Sequence, residues 1–139
     1  MSDNDNGNVE LQAPTSVFRE VFVAVQNSSP LDLVVTTFSV SAGYWDPAAP
    51  SGLPTQGYQI TPGETPTWGN YTSTPFTSVS GSMTINSSGT GTVVLNWSWT
   101  YGSPATATQT ITVAGIKASV TLGNPGSSSI TATYSISAS

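Results

Sequence analysis

"TVVLNWSWTYGSP", residues 92–104, decides the fold. Val93, Leu95, Trp97, Trp99 and Tyr101 alternate with Val94, Asn96, Ser98 and Thr100. In a strand, residues two apart point the same way, so these five side chains share one face. Val93 and Leu95 read as core. Trp97 reads as core or as part of a site. Trp99 and Tyr101 stand at the strand end beside a Gly-Ser-Pro turn, where a core usually runs out. Ser98 and Thr100 occupy the wetter face.

The same period recurs on either side. "VFREVFVAVQN" (17–27) and "LDLVVTTFSVSA" (31–42) read as two strands joined by "SSP". "GYWDPAAPSGLP" (43–54) reads as a loop, "QGYQI" (56–60) as a short strand and "TPGETP" (61–66) as a turn. "TWGNYTSTPF" (67–76) reads as irregular or as an edge, and "TSVSGSMTI" (77–85) as a strand containing a glycine. "ATATQTITVAGIKASVTLG" (105–123) supplies one or two strands with a bend at Gly115. "ITATYSISA" (130–138) closes the chain with Ile130, Ala132, Tyr134 and Ile136 in one phase. Eight to ten short strands without an amphipathic helix predict an all-β, two-sheet antiparallel β-sandwich. We expect a flexible acidic tail over 1–16 and a single sandwich domain over 17–139, a size suited to one modest core.

Composition narrows the function. Ser and Thr supply 43 of the 139 residues, and the net charge is −5 with Arg19 and Lys117 as the only bases. Phosphate backbones are held by clustered Lys and Arg, so a nucleic-acid partner is not expected. Attraction to anionic lipid by charge alone is not expected either. The chain has no Cys and no His, which removes the usual zinc sites, thiol nucleophiles and Ser–His dyads. No cofactor, metal or catalytic residue is expected, and an enzyme is the least favoured class. The N-terminal residues lack an apolar signal region, which predicts a cytoplasmic protein or one released without a classical signal peptide. The four N-x-S/T sites at Asn27, Asn70, Asn86 and Asn96 read as chance in a Ser/Thr-rich chain.

Aromatic residues at loop edges are the chief site signal. Tyr44 and Trp45 precede Asp46-Pro47, Tyr58 borders a turn, and Trp68-Gly69-Asn70-Tyr71 has the look of a presented loop. Tyr and Trp pair an apolar body with a polar tip and suit a sugar face, a cationic headgroup or a membrane interface. Asp32 and Glu64 read as solvated turn residues. Asp46 reads either as a turn cap or as a carboxylate that holds a quaternary ammonium beside Tyr44 and Trp45.

In order along the chain, "REVFVAVQNSSPLDLVVTTFSVSAGYWD", "GYQITPGETPTWGN", "FTSVSGSMTI" and "GTGTVVLNWSWTYG" resemble the actinoporin-like proteins, over roughly residues 19–102. The fungal, sphingolipid-binding branch is the most similar. The resemblance implies a sandwich that docks peripherally on outer membrane leaflets through sphingomyelin, often with sterol such as cholesterol. It carries headgroup binding to Trp99 and Tyr101, with Tyr44 and Trp45 alongside, and adds Trp68 and Tyr71 by their position after the Pro-Gly turn; the residues themselves add Asp46 to the headgroup set and Tyr58 and Trp97 to the further candidate membrane contacts. Residues 1–16 carry no apolar stripe of the kind a lytic helix needs, so non-lytic or weakly lytic binding is expected. Two other classes stay open: a lectin-like module that binds a glycan through the same aromatics, and a structural sandwich that assembles with itself. A homo-oligomer is compatible with each.

Overall fold

The computed structural model describes residues 17–87, 91–112, 114–124 and 127–139. The expected tail over 1–16 lies outside them, as do parts of the turns at 86–91 and 124–129. Ten strands form: β1 (Arg19–Ser28), β2 (Leu33–Ala42), β3 (Tyr44–Trp45), β4 (Gln59–Ile60), β5 (Thr67–Thr72), β6 (Val79–Ser87), β7 (Thr92–Trp99), β8 (Thr106–Ile111), β9 (Ile116–Gly123) and β10 (Ser129–Ala138). They make two five-stranded sheets, ordered β3-β5-β1-β10-β9 and β4-β2-β6-β7-β8. No helix occurs among the described residues. The all-β, two-sheet sandwich read from the alternation is therefore the fold of the chain.

Two details depart from the sequence reading. The first and last long strands, β1 and β10, pair in parallel, while every other pair is antiparallel. The segment expected to be irregular or an edge is β5, which pairs with β1 on one side and β3 on the other. Its Gly and Asn have weak strand preference, but its Thr, Trp and Tyr favour a strand and burial of one face supports the pairing. Trp68, Asn70 and Thr72 share that face and are buried.

The core follows the period of two. Val21, Val23 and Val25 of β1 and Ile130, Ala132, Tyr134 and Ile136 of β10 face Met83 and Ile85 of β6 and Val93, Leu95 and Trp97 of β7. Tyr134 carries its hydroxyl through the core and donates to the Asn96 carbonyl of the opposite sheet. Burial pushes that phenol far above its ordinary pKa, so it stays a donor. Gly81, opposite Trp97 in the β6–β7 pair, leaves room for the indole. A Cβ there would sit 2.7 Å from the Trp97 ring and 2.6 Å from the Ser39 carbonyl.

Two asparagines do structural work. Asn27 Nδ2 donates to the Leu31 and Ile60 carbonyls, each at 2.8 Å. Asn70 Nδ2 donates to the carbonyls of Ala42 at 3.1 Å and Tyr44 at 3.3 Å, and its Oδ1 accepts the Trp97 indole N–H at 3.0 Å. Both side chains are fully buried, which removes these two positions as glycan acceptors in the folded chain. Asn70 thus ties the sheets together and holds the β2–β3 turn.

Removing it leaves the buried Trp97 indole N–H without its acceptor, at about 1–3 kcal/mol, and takes one hydrogen bond from each of the Ala42 and Tyr44 carbonyls. Asn70→Ala is expected to lower the unfolding free energy by about 3 kcal/mol or more, measured by urea unfolding. A loss below about 1 kcal/mol would show that the tie carries little.

Candidate functional site

The registers bring several loops to one end of the sandwich. Arg19 pairs with Thr72, Ala42 with Ser80, and Val79 with Trp99. The start of β1, the β2–β3 turn, the β5–β6 connection (73–78) and the segment after β7 therefore meet there. Phe18, Phe76 and Tyr101 gather at this end, each ring touching the other two. Ring centroids are 5.9 Å apart for Phe18–Phe76, 5.1 Å for Phe76–Tyr101 and 6.3 Å for Phe18–Tyr101. Phe76 is 68% exposed and Tyr101 49% exposed, among the most exposed large apolar side chains described.

Phe76 has φ of 64°. That left-handed backbone is disfavoured for a bulky side chain, at about 1–2 kcal/mol. The chain bears this strain to present an apolar ring to solvent. Such outliers concentrate where function needs them.

Arg19 lies beneath the rings. Its Cζ is 4.6 Å from the Trp99 centroid, 4.9 Å from Phe18 and 5.6 Å from Tyr101. Nη1 donates to the Trp99 carbonyl at 3.2 Å, while the buried Nε has no partner. Burial lowers the guanidinium pKa, partly opposed by Tyr101, although an arginine remains charged in any usual condition. Attraction to ring faces offsets the lost hydration.

Beside this cluster, Tyr44 on β3 packs on Tyr71 of β5, with centroids 6.1 Å apart. Tyr44 is 66% exposed. A shallow groove of about 350 Å³ runs between Val40–Tyr44 and Thr72, Thr74, Thr77 and Ser78.

The structure sorts the residues expected in the site. Trp99 and Tyr101 come together around Arg19, and Tyr44 meets Tyr71. Trp45, expected at the headgroup, is half-buried between Phe38 and Trp97, each at 6.0 Å. Its position on β3 puts it in the opposite phase to Tyr44, which turns it toward the core. Trp68 is fully buried against Tyr58 at 5.5 Å, and Trp97 is buried in the core, so neither is presented. Tyr58 is half-buried against Trp68 and belongs to the core margin. Asp46, expected either to cap a turn or to hold a headgroup ammonium, is buried, and its Oδ1 accepts the Ala48 N–H at 2.8 Å, as a turn cap does.

The sequence reading missed Phe18, Phe76 and the enclosure of Arg19. The signals were present as Pro75-Phe76 in a short polar connection and as the basic residue heading β1.

Asp46 instead faces Glu20 on the outer side of the β1–β5 pair. Both carboxyls are buried, and Glu20 Oε2 has no donor. Gly69 makes the space, since a side chain there would collide with Glu20 Oε2. Burial first, then the hydrogen bond and charge of Asp46, push the Glu20 carboxyl up from 4.5 to about 8. With that shift the Glu20 carboxyl keeps its proton near neutral pH. The same two acids, with burial and Tyr44, raise the Tyr71 phenol.

No protein-family model and no curated protein sequence matches the chain. Solved structures with the same fold do. The RahU protein, solved in complex with a TRIS molecule, aligns with TM-score 0.70 and 14% identity over 89% of this chain and 98% of its own. IP-1A from Alcaligenes faecalis aligns with TM-score 0.70 and 8% identity over 95% and 97%. The lipid-binding protein Nakanori aligns with TM-score 0.68 and 12% identity over 93% and 74%. The actinoporin-like sandwich expected from the motifs is thus the fold found, at identities that establish the fold alone.

The Glu20 shift gives a pH dependence of stability. The folded state binds the proton more tightly than the unfolded chain, so stability is greatest below about pH 4.5 and falls as pH rises through about 8. Thermal unfolding of the parent is expected to drop over that window, and Glu20→Gln is expected to flatten the drop. An unchanged slope in Glu20→Gln would show that the Glu20 proton is not its source.

Proposed function

We propose that this protein docks peripherally on a lipid bilayer through the Phe18–Phe76–Tyr101 end and recognises a zwitterionic sphingolipid headgroup of the sphingomyelin type, with sterol as a second component. The observation that carries the reading is Phe76, strained at φ 64° and 68% exposed. An apolar ring held outward at an energetic cost suits insertion into an interface. Tyr101 beside it has the amphipathic character of interfacial aromatics. The fold shared with a lipid-binding protein agrees with this reading.

Arg19 refines the headgroup assignment. Its guanidinium lies against Trp99 and Tyr101, so faces of these rings already hold a cation. A headgroup ammonium would meet the outward side of Tyr101 and Phe76, while the buried Arg19 charge behind them favours the phosphate. Binding driven in this way is weakly dependent on salt, because exposed charge contributes little.

Burying a Phe side chain is worth about 1.5–3 kcal/mol. Phe76→Gly and Tyr101→Ala are each expected to weaken binding to sphingomyelin–cholesterol vesicles by about tenfold or more at high salt, read by flotation. Phe76→Gly also relieves the backbone strain, so its thermal midpoint should equal or exceed that of the parent. Parent-like vesicle binding by Phe76→Gly would refute the docking surface.

A further inference from the structure

The groove beside the ring cluster has a chemistry of its own. Its walls are Val40–Tyr44 and Thr72, Thr74, Thr77 and Ser78, with no acid and no base among them. An anion there would lose water and gain no cation. A quaternary ammonium is best held by several ring faces, and Tyr44 is the single ring in the lining. Neither half of a zwitterionic headgroup is well matched.

What the groove offers is one aromatic wall opposite hydroxyls. Ser78 Oγ accepts the Tyr101 N–H at 3.1 Å, which leaves its own proton and a lone pair free. Thr77 Oγ1 donates to the Thr74 carbonyl and shares a 2.8 Å hydrogen bond with Thr72 Oγ1, which leaves acceptor capacity on both hydroxyls. Thr74 is exposed at the rim. Sugars present the complementary set: an apolar C–H face for one ring, and hydroxyls that both donate and accept.

We infer that this groove is a subsite for a neutral sugar ring, stacked on Tyr44 and hydrogen-bonded by the Thr72–Ser78 segment. The inference rests on the membrane reading above for the source of the sugar. The same short connection carries Phe76 outward and lines the groove with Thr74, Thr77 and Ser78. A sugar in the groove therefore lies at headgroup depth, as the first ring of a glycolipid does, rather than at the end of a long glycan.

The test compares vesicles of phosphatidylcholine with sphingomyelin and cholesterol, with and without glucosylceramide or galactosylceramide. The parent is expected to bind at least one glycolipid-bearing vesicle about tenfold more tightly, a difference of about 1.4 kcal/mol. Tyr44→Ala and Thr74→Val, both at exposed positions, should abolish that increment, and Thr74→Val should leave binding to glycolipid-free vesicles unchanged. No increment with either glycolipid, or an increment that survives both substitutions, overturns the subsite while Phe76-dependent docking stands. Free oligosaccharides bound as tightly as the vesicles would overturn the lipid-linked source. Loss of Phe76 dependence would strike the docking surface instead.

Discussion

Buried polar ties between the two sheets hold this molecule in register, the Asn70 amide among them. Asn70 gives both of its hydrogens to the β2–β3 turn and takes the indole proton of Trp97 from the opposite sheet. A sandwich with no disulfide depends on apolar burial for its stability, and apolar contact is non-directional. Burial alone would let the sheets slide past each other. A buried, fully used side-chain amide fixes one relative position, because any slip strands polar groups in the core. The same bonds set where Tyr44 leaves the sheet, so the tie that orders the core also orders one wall of the groove.

The scarcity of charge makes the two ionisable residues at the head of β1 informative. Arg19 and Glu20 are adjacent in sequence, opposite in charge and both buried. They do not compensate each other, because the pleat sends neighbouring side chains to opposite faces. Arg19 goes under the aromatic end and is held by ring faces and one carbonyl. Glu20 goes to the outer side of the sheet, where burial and the neighbouring Asp46 raise its carboxyl pKa. Each shift in pKa is the mark of a charge denied its nearest counter-ion by backbone geometry.

The strands were legible because their signal is periodic. Val93-Leu95-Trp97 and Ile130-Ala132-Tyr134-Ile136 each fill one buried face, as a period of two requires. The segment Thr67–Thr72 was not legible as an inner strand, since Gly69-Asn70 interrupts its strand-favouring residues and its burial is decided by β1, far away in sequence. The candidate site was half legible. Trp99, Tyr101 and Tyr44 stand at strand ends, and a strand end is visible in sequence. Trp45 and Trp68 were misplaced for a common reason: nearby Gly and Pro mark a turn, but strand phase decides which side of it faces the core. Phe76 gave only a weak signal, one ring after a proline in a polar connection, and its left-handed backbone cannot be read from residue types.

The division of labour at the aromatic end follows from what each part can solvate. The exposed rings of Phe76 and Tyr101 lose water favourably against acyl or headgroup carbon and need no partner of defined shape. The groove hydroxyls gain nothing from such contact and would leave hydrogen bonds unmade in it. A surface that buries both must meet a ligand with an apolar portion and a hydroxyl-bearing portion a few ångströms apart. A lipid with a sugar at its head has that arrangement, whereas a bilayer of choline headgroups alone satisfies the rings and leaves the hydroxyls to water. The affinity of this end for a membrane is therefore expected to depend on the rings, and its choice among membranes on the groove.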